Sequence, residues 1–249
     1  MMRRSIAAVG TVLLSAVFAV PLSAQRLQPK VEVTTPDYQF RYSYPPKAAA
    51  IPALAAYFEG ERTRARASFV KGAADGRREA TQDGRSFIAY EMSVVWDVVT
   101  DTPRLLSLSG WFYGFTGGAH GNAGTDSLLW DKQRGERIKP VAVFTTPEAL
   151  WAAIKTPYCR ALNAERATRR GSQARIAPND PFNDCPPLKD LTLLLGSSNR
   201  KTIDRIGLIA DQYVAGPYVE GPYEITLPVT PAVIAAVKPG YRAGFAVGR

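Results

Sequence analysis

Gly110-Trp111-Phe112-Tyr113-Gly114-Phe115-Thr116-Gly117-Gly118-Ala119-His120-Gly121-Asn122 is the stretch on which the reading of this chain turns. Its first half is aromatic and suits a strand. Its second half places Gly117, Gly118 and Gly121 within five residues, which forces turns that residues without a Cβ tolerate. His120, the only histidine of the protein, and Asn122 are therefore expected at an exposed strand end. Of Trp111, Phe112, Tyr113 and Phe115, at least half are expected in the core.

Upstream, Phe87 to Val99 reads as a long strand rich in β-formers, Thr100 to Pro103 as a turn, and Leu105 to Tyr113 as the returning hairpin partner. Downstream, Ser127 to Asp131 is a short strand and Lys132 to Glu136 a turn into Arg137 and Ile138. Nearer the N-terminus, Val31 to Val33 and Phe40 to Tyr44 alternate apolar and polar residues as half-buried strands do, until Pro45 and Pro46. From Ile51 the period changes. Ile51, Leu54, Phe58, Ala65 and Phe69 recur at helical steps, so a helix to about Ala73 is expected, followed by a polar, glycine-containing loop from Gly72 to Arg85.

Thr146-Pro147-Glu148 announces a second helix, with threonine as N-cap, proline at the first position and an acid in the first turn. Its core face is Leu150, Ile154, Tyr158 and Leu162, and Pro157 is expected to kink or split it. Arg166, Arg169 and Arg170 follow on one face, where positive charge suits the helix C-terminus. Leu191 to Leu195, Ile203 to Ala210 and Glu224 to Pro228 read as further strands. Strands grouped around two main helices, without regular strand-helix alternation, give an α+β fold with mostly antiparallel sheets.

Composition bounds the class. At 249 residues, 46% hydrophobic and 21% charged, the chain is an ordinary globular one. Met1-Met2-Arg3-Arg4, the apolar run Ile6 to Val20 and Pro21 to Gln25 have the three regions of a signal peptide cleaved after Ala24, so a periplasmic or secreted location is expected. Membrane contact is then confined to that segment. Removing it takes Arg3 and Arg4 and no acid, so the net charge falls from +9 to +7. Outside the cytoplasm a basic chain favours anionic polymers such as envelope glycans and the headgroup surface over nucleic acid, so no nucleic-acid partner is expected. Cys159 and Cys185, the only cysteines of an exported chain, are expected to pair, at a stabilisation of about 3 kcal/mol. No metal or cofactor site is read.

Two stretches together resemble a known family. They are Tyr113 to Asn122 with the hairpin that follows at Trp130 to Gly135, and Asp211 to Leu227 with Ala215-Gly216-Pro217-Tyr218-Val219-Glu220-Gly221-Pro222. They resemble the RsiV-type domain, which follows a smaller deacetylase-associated (PdaC-type) domain in lysozyme-sensing anti-sigma factors and in some peptidoglycan deacetylases. The resemblance spans about residues 36 to 237. It implies residues 25–115 as the deacetylase-associated-like domain and 116–249 as the RsiV-like domain. It also implies an extracytoplasmic module of cell-wall chemistry that, in the anti-sigma members, binds lysozyme.

Three functions remain open on these residues. In the first, the chain is an envelope binding protein for peptidoglycan or a lysozyme-like protein, using Thr116, Gly117, Gly118, His120, Gly121 and Asn122 together with Tyr213, Tyr218 and Tyr223. In the second it is a hydrolase or deacetylase-related enzyme, with His120 as a base beside Asp126 or Asp131, although no nucleophile or oxyanion site accompanies it. In the third it inhibits a lysozyme-like enzyme, with Glu220 and Glu224 supplying complementarity to a basic partner. No catalytic residue is assigned, and the oligomeric state is left undetermined.

Overall fold

The computed structural model of the protein describes residues 30–171 and 179–248; the expected signal peptide lies outside them. Among the described residues no helix is long and apolar enough to cross a membrane. Two sheets organise the fold. The first has six strands in chain order: β1 (Lys30–Thr34), β2 (Tyr38–Ser43), β3 (Tyr90–Asp101), β4 (Leu105–Phe115), β5 (Asn122–Asp131) and β6 (Glu136–Ile138). Every pairing in it is antiparallel except β2 with β3. That pair is parallel because a short helix α1 (Pro46–Ala49) and the long helix α2 (Pro52–Gln82) carry the chain back between them. The second sheet holds β7 (Thr192–Gly196), β8 (Arg205–Ala210) and β9 (Tyr223–Pro228), all antiparallel. The α+β, mostly antiparallel architecture read from the sequence is therefore the observed one.

Helix α2 runs nine residues beyond the expected end, through the stretch read as a loop. Gly72 and Gly76 weaken it intrinsically, each by about 1 kcal/mol against alanine. Tertiary contacts offset that cost. Ala73 and Ala80 are buried, and Gly76 sits so close to the Tyr90 hydroxyl that a Cβ would collide with it. Asp75 bridges Lys71 and Arg78 along the helix, and Arg77 pairs with Asp37 and lies over the Phe87 ring. Further back, Phe58 stacks on Tyr44 and contacts Trp96, and Phe69 meets Tyr38 and Phe40, so α2 and the first sheet share one core.

The second core lies around the other sheet. Helix α3 (Pro147–Arg170) starts as expected, with the Thr146 hydroxyl accepting the Ala149 N–H at 3.0 Å. It is one continuous helix that includes Pro157, so the proline does not split it. Leu150, Ile154, Tyr158 and Leu162 are all fully buried against β7, β8 and β9. Leu105 and Leu129 of the first sheet join the same cluster, as do the short helices α4 (Pro231–Ala236) and α5 (Pro239–Arg242) through Val233 and Tyr241. The first sheet continues past residue 115: β5 and β6 pair onto β4, and β5 is twice as long as the strand read from Ser127. Cys159 and Cys185 are disulfide-bonded, their Cα atoms 5.5 Å apart, which ties α3 to the segment before β7.

Candidate functional site

Strand β4 builds the site by alternation. Phe112 turns toward α2 and meets Trp96 edge-on, ring centroids 5.7 Å apart. Gly110 leaves room for that indole, since a Cβ there would approach it to 2.8 Å. Trp111 and Tyr113, two residues apart, project to the opposite face. Their rings are nearly parallel, 6° between planes and 5.8 Å between centroids. Trp111 is 43% exposed, and none of the four aromatic residues from Trp111 to Phe115 is fully buried. The expectation that half of them are core is thus corrected: only Phe112 packs against a core cluster. The face beside Trp111 and Tyr113 is open because, among the described residues, no helix equivalent to α2 covers it.

Polar groups flank this pair. Register places Arg41 opposite Glu32 and beside Ser93, which in turn lies opposite Tyr113. Glu32 and Arg41 form an ion pair at 2.8 Å, and with Gln39, Glu91, Trp111 and Tyr113 they line a groove of about 320 Å³. Sequence reasoning did not single out Glu32, Gln39 or Arg41. Their signal is the period of two, which puts them on one face without saying that the face is open.

At the end of β4 the chain turns through Gly117 and Gly118, with φ of 92° and 96°, values that L side chains rarely adopt. Gly121 is required for a different reason. It lies flat against Tyr113, and a Cβ would penetrate the Tyr113 ring. Thr116, Gly118, His120 and Asn122 are exposed, as expected of a strand end.

The loop after β8 comes to the same place. Asp211 accepts the Thr125 N–H at 2.9 Å and its hydroxyl at 3.0 Å, and Thr192 donates to the Thr125 carbonyl at 3.1 Å. These bonds hold β5, β7 and the loop together. Tyr213 follows in a left-handed conformation, φ 67°, with its N–H bound to Gly216 O at 3.0 Å, and its side chain is 52% exposed. Tyr218 lies on His120, ring centroids 4.0 Å apart, and contacts Tyr213 at 5.8 Å. The Tyr218 hydroxyl donates to Gly121 O at 3.0 Å, and His120 Nδ1 lies 2.9 Å from the same oxygen. A carbonyl has two lone pairs, so it accepts both, with His120 donating from Nδ1.

Tyr223 does not belong to this cluster. It is fully buried, donates its hydroxyl to Glu220 and carries the Arg169 guanidinium 4.1 Å above its ring. Arg170 pairs with Glu220 at 2.8 Å, both side chains nearly buried. Burial pushes the Glu220 pKa up, but Arg170 and the Tyr223 hydroxyl outweigh it and hold the carboxyl below its usual range. Arg166, almost wholly buried, donates to Ala215 O at 3.0 Å and Asp184 O at 2.8 Å. The arginines expected along the end of α3 therefore brace the tyrosine loop from behind. Glu224 is exposed on β9.

Neither acid considered as a partner for His120 serves as one. Asp131 stands at the far end of the ten-residue β5, roughly 30 Å from Asn122 along the strand. It is wholly buried, bonded to Arg104 at 2.9 Å and Tyr241 at 3.0 Å. The exposed Asp126 accepts the N–H of Ser127 at 2.7 Å. Among the described residues no group of three or more His, Cys, Asp or Glu side chains comes together to hold a metal.

Three comparisons bear on this arrangement. The model of the family described as Deacetylase PdaC matches residues 31–123, that is, β1 to the start of β5. No curated protein matches. Among solved structures, a DUF3298 family protein from Pseudomonas aeruginosa PAO1 is 18% identical with a TM-score of 0.54, covering 88% of this chain and 96% of that one. A DUF3298 family member from Bacteroides fragilis NCTC 9343 is 16% identical with a TM-score of 0.47, covering 80% and 88%. The Pseudomonas aeruginosa protein thus shares the fold over nearly its whole length.

Proposed function

We propose that this chain is an exported, envelope-associated binding protein that recognises the glycan strands of peptidoglycan. The observation that carries the reading is the row of aromatic rings from the sheet face to the loop tip: Trp111, Tyr113, then His120 and Tyr218 across Gly121, then Tyr213. Sugar rings present C–H faces that stack on flat aromatic side chains and hydroxyls that bond to carboxylate, carboxamide and guanidinium groups. Glu32, Gln39, Arg41 and Glu91 offer those groups beside Trp111 and Tyr113. Tyrosine and tryptophan give large contact area at small cost in side-chain entropy. The PdaC-type match over residues 31–123 supports a cell-wall setting, and the signal-peptide reading supports a periplasmic or secreted location.

A second reading, a lysozyme-like partner, draws on the RsiV-type resemblance and on one observation. Val219, next to Tyr218, is 89% exposed, and an apolar side chain standing free beside tyrosines suits a protein contact. The enzymatic alternative has lost its acid partner for His120.

The test is sedimentation of the purified protein with isolated peptidoglycan at low and high salt, with calorimetry against lysozyme in parallel. Glycan stacking predicts co-sedimentation that survives about 0.5 M salt, where the Debye length is only a few ångströms, and that is lost in Trp111→Ala. Retention only at low salt would show mere attraction to a basic surface and defeat the glycan reading. Micromolar lysozyme binding lost in Tyr218→Ala would instead establish the protein partner.

A further inference from the structure

A separate cleft of about 630 Å³, within the range of small-molecule sites, lies beside β5, where β6 has ended and the second sheet begins. Its apolar floor includes Trp96, Leu128, Leu191 and Leu193. Its rim carries three cations: Arg137 and Lys139, which follow one another on either side of Ile138, and Lys189 from the short 3-10 turn Leu188–Asp190. Arg137 is held in place, its guanidinium 3.6 Å from the centre of the Tyr57 ring. Asp126 is the only acid on the lining among the described residues. Among the described residues none of the three cations has an ion-pair partner, although carboxylates pair with many of the other basic side chains.

We propose that this cleft binds an anionic amphiphile, its charged head at Arg137, Lys139 and Lys189 and its apolar body on the leucine and tryptophan floor. Charge selects the head. Three cations against one acid leave a net positive rim, and an anion settling there meets basic groups that need not first break an ion pair. Volume and lining select the body, because burying apolar surface against Leu128, Leu191 and Leu193 supplies what a rim of exposed charges alone lacks. A free fatty acid and a single-chain lipid phosphate share this chemistry.

The experiment is calorimetric titration of the whole protein with decanoate, with decanol and with inorganic phosphate, each below any micellar concentration. Saturable one-to-one binding of decanoate is expected, weakened about tenfold or more in Lys139→Gln/Lys189→Gln while the melting temperature stays unchanged. Dodecyl phosphate in place of decanoate separates the two sources by relative affinity. Decanoate that does not bind saturably, or binds the double variant equally well, overturns the proposal. Decanol binding as tightly overturns the anionic head, and inorganic phosphate binding as tightly overturns the apolar body. Co-sedimentation with peptidoglycan is unaffected by the double variant, so the two readings fail independently.

Discussion

The ring of His120 lies on that of Tyr218, 4.0 Å between centroids and 23° from parallel, and both side chains converge on the carbonyl oxygen of Gly121. The two loops that form the tip are therefore joined at one acceptor. Tyr218→Phe keeps the stack and removes one bond, so it is expected to weaken ligand binding only a few-fold, by about 1 kcal/mol. Tyr218→Ala removes both and is expected to abolish binding with little change in melting temperature. Equal effects of the two, measured by calorimetry or pelleting, would mean that the ring does not contact the ligand.

Gly121→Ala places a methyl group in the Tyr113 ring. A loss of about 1 to 3 kcal/mol is expected on urea unfolding, as for other overpacked sites, together with loss of binding. Gly118→Ala meets no neighbouring atom and acts only through its φ of 96°. Its cost is expected to be smaller, about 1 kcal/mol.

Arg166 fastens the tyrosine loop to α3 through Ala215 O and the disulfide segment through Asp184 O. Arg166→Leu removes the donor to Asp184 O and leaves Ala215 O only the longer bond from Arg170, 3.4 Å, and is expected to cost about 3 kcal/mol. Reduction of Cys159–Cys185, which spans 26 residues of sequence, removes a similar amount, about 3 to 4 kcal/mol on a chain-entropy estimate. Thermal unfolding with and without reductant measures the second effect directly.

Acid is expected to destabilise the protein in a defined window. Burial raises the Asp131 pKa, but the bonds from Arg104, the Arg134 N–H and Tyr241 outweigh it, so the carboxyl titrates below its usual value. Asp101, Asp204 and Glu220 are lowered in the same way, against burial, by Lys132 and Lys47, by Ser198, and by Arg170 with Tyr223. A depressed folded pKa contributes stability that is full above the unfolded value, about 4, and is lost as pH falls through the folded one. Stability from urea melts should therefore be flat near neutrality and fall below about pH 4, and Asp131→Asn should flatten that fall while costing about 3 kcal/mol at neutral pH.

The buried Tyr158 hydroxyl of α3 has no hydrogen-bond partner among the described residues, and burial pushes its pKa up to about 12. Tyr158→Phe removes an unsatisfied donor and leaves the packing, so it is expected to raise stability by about 1 kcal/mol. A loss instead would show that the hydroxyl is satisfied in solution.

Much of the fold was legible in the chain because its signals are local. The N-cap at Thr146, the buried face Leu150, Ile154, Tyr158 and Leu162, the β3–β4 hairpin and the left-handed glycines at 117 and 118 all follow from spacing and backbone chemistry. The end of α2 was not legible, because Gly72 and Gly76 read as loop residues until Tyr90, from the next strand, is seen to fill the space left at Gly76. Tyr223 belonged with Tyr213 and Tyr218 by sequence neighbourhood, yet it stands inside with Glu220 and Arg170.

By itself the sequence determined which residues alternate, where the backbone must turn, that two cysteines can pair, and that strands cluster around two helices. Only the tertiary structure decided which alternating face is covered. Period two puts Trp111 and Tyr113 on one side and Phe112 on the other, but α2 closes the Phe112 side while the other stays open at Trp111. It also decided that the Gly117–Asn122 loop meets Tyr218, through the Asp211 carboxylate on Thr125, 86 residues away in the chain. Burial and long-range hydrogen bonds depend on what packs from elsewhere, and no local pattern encodes that.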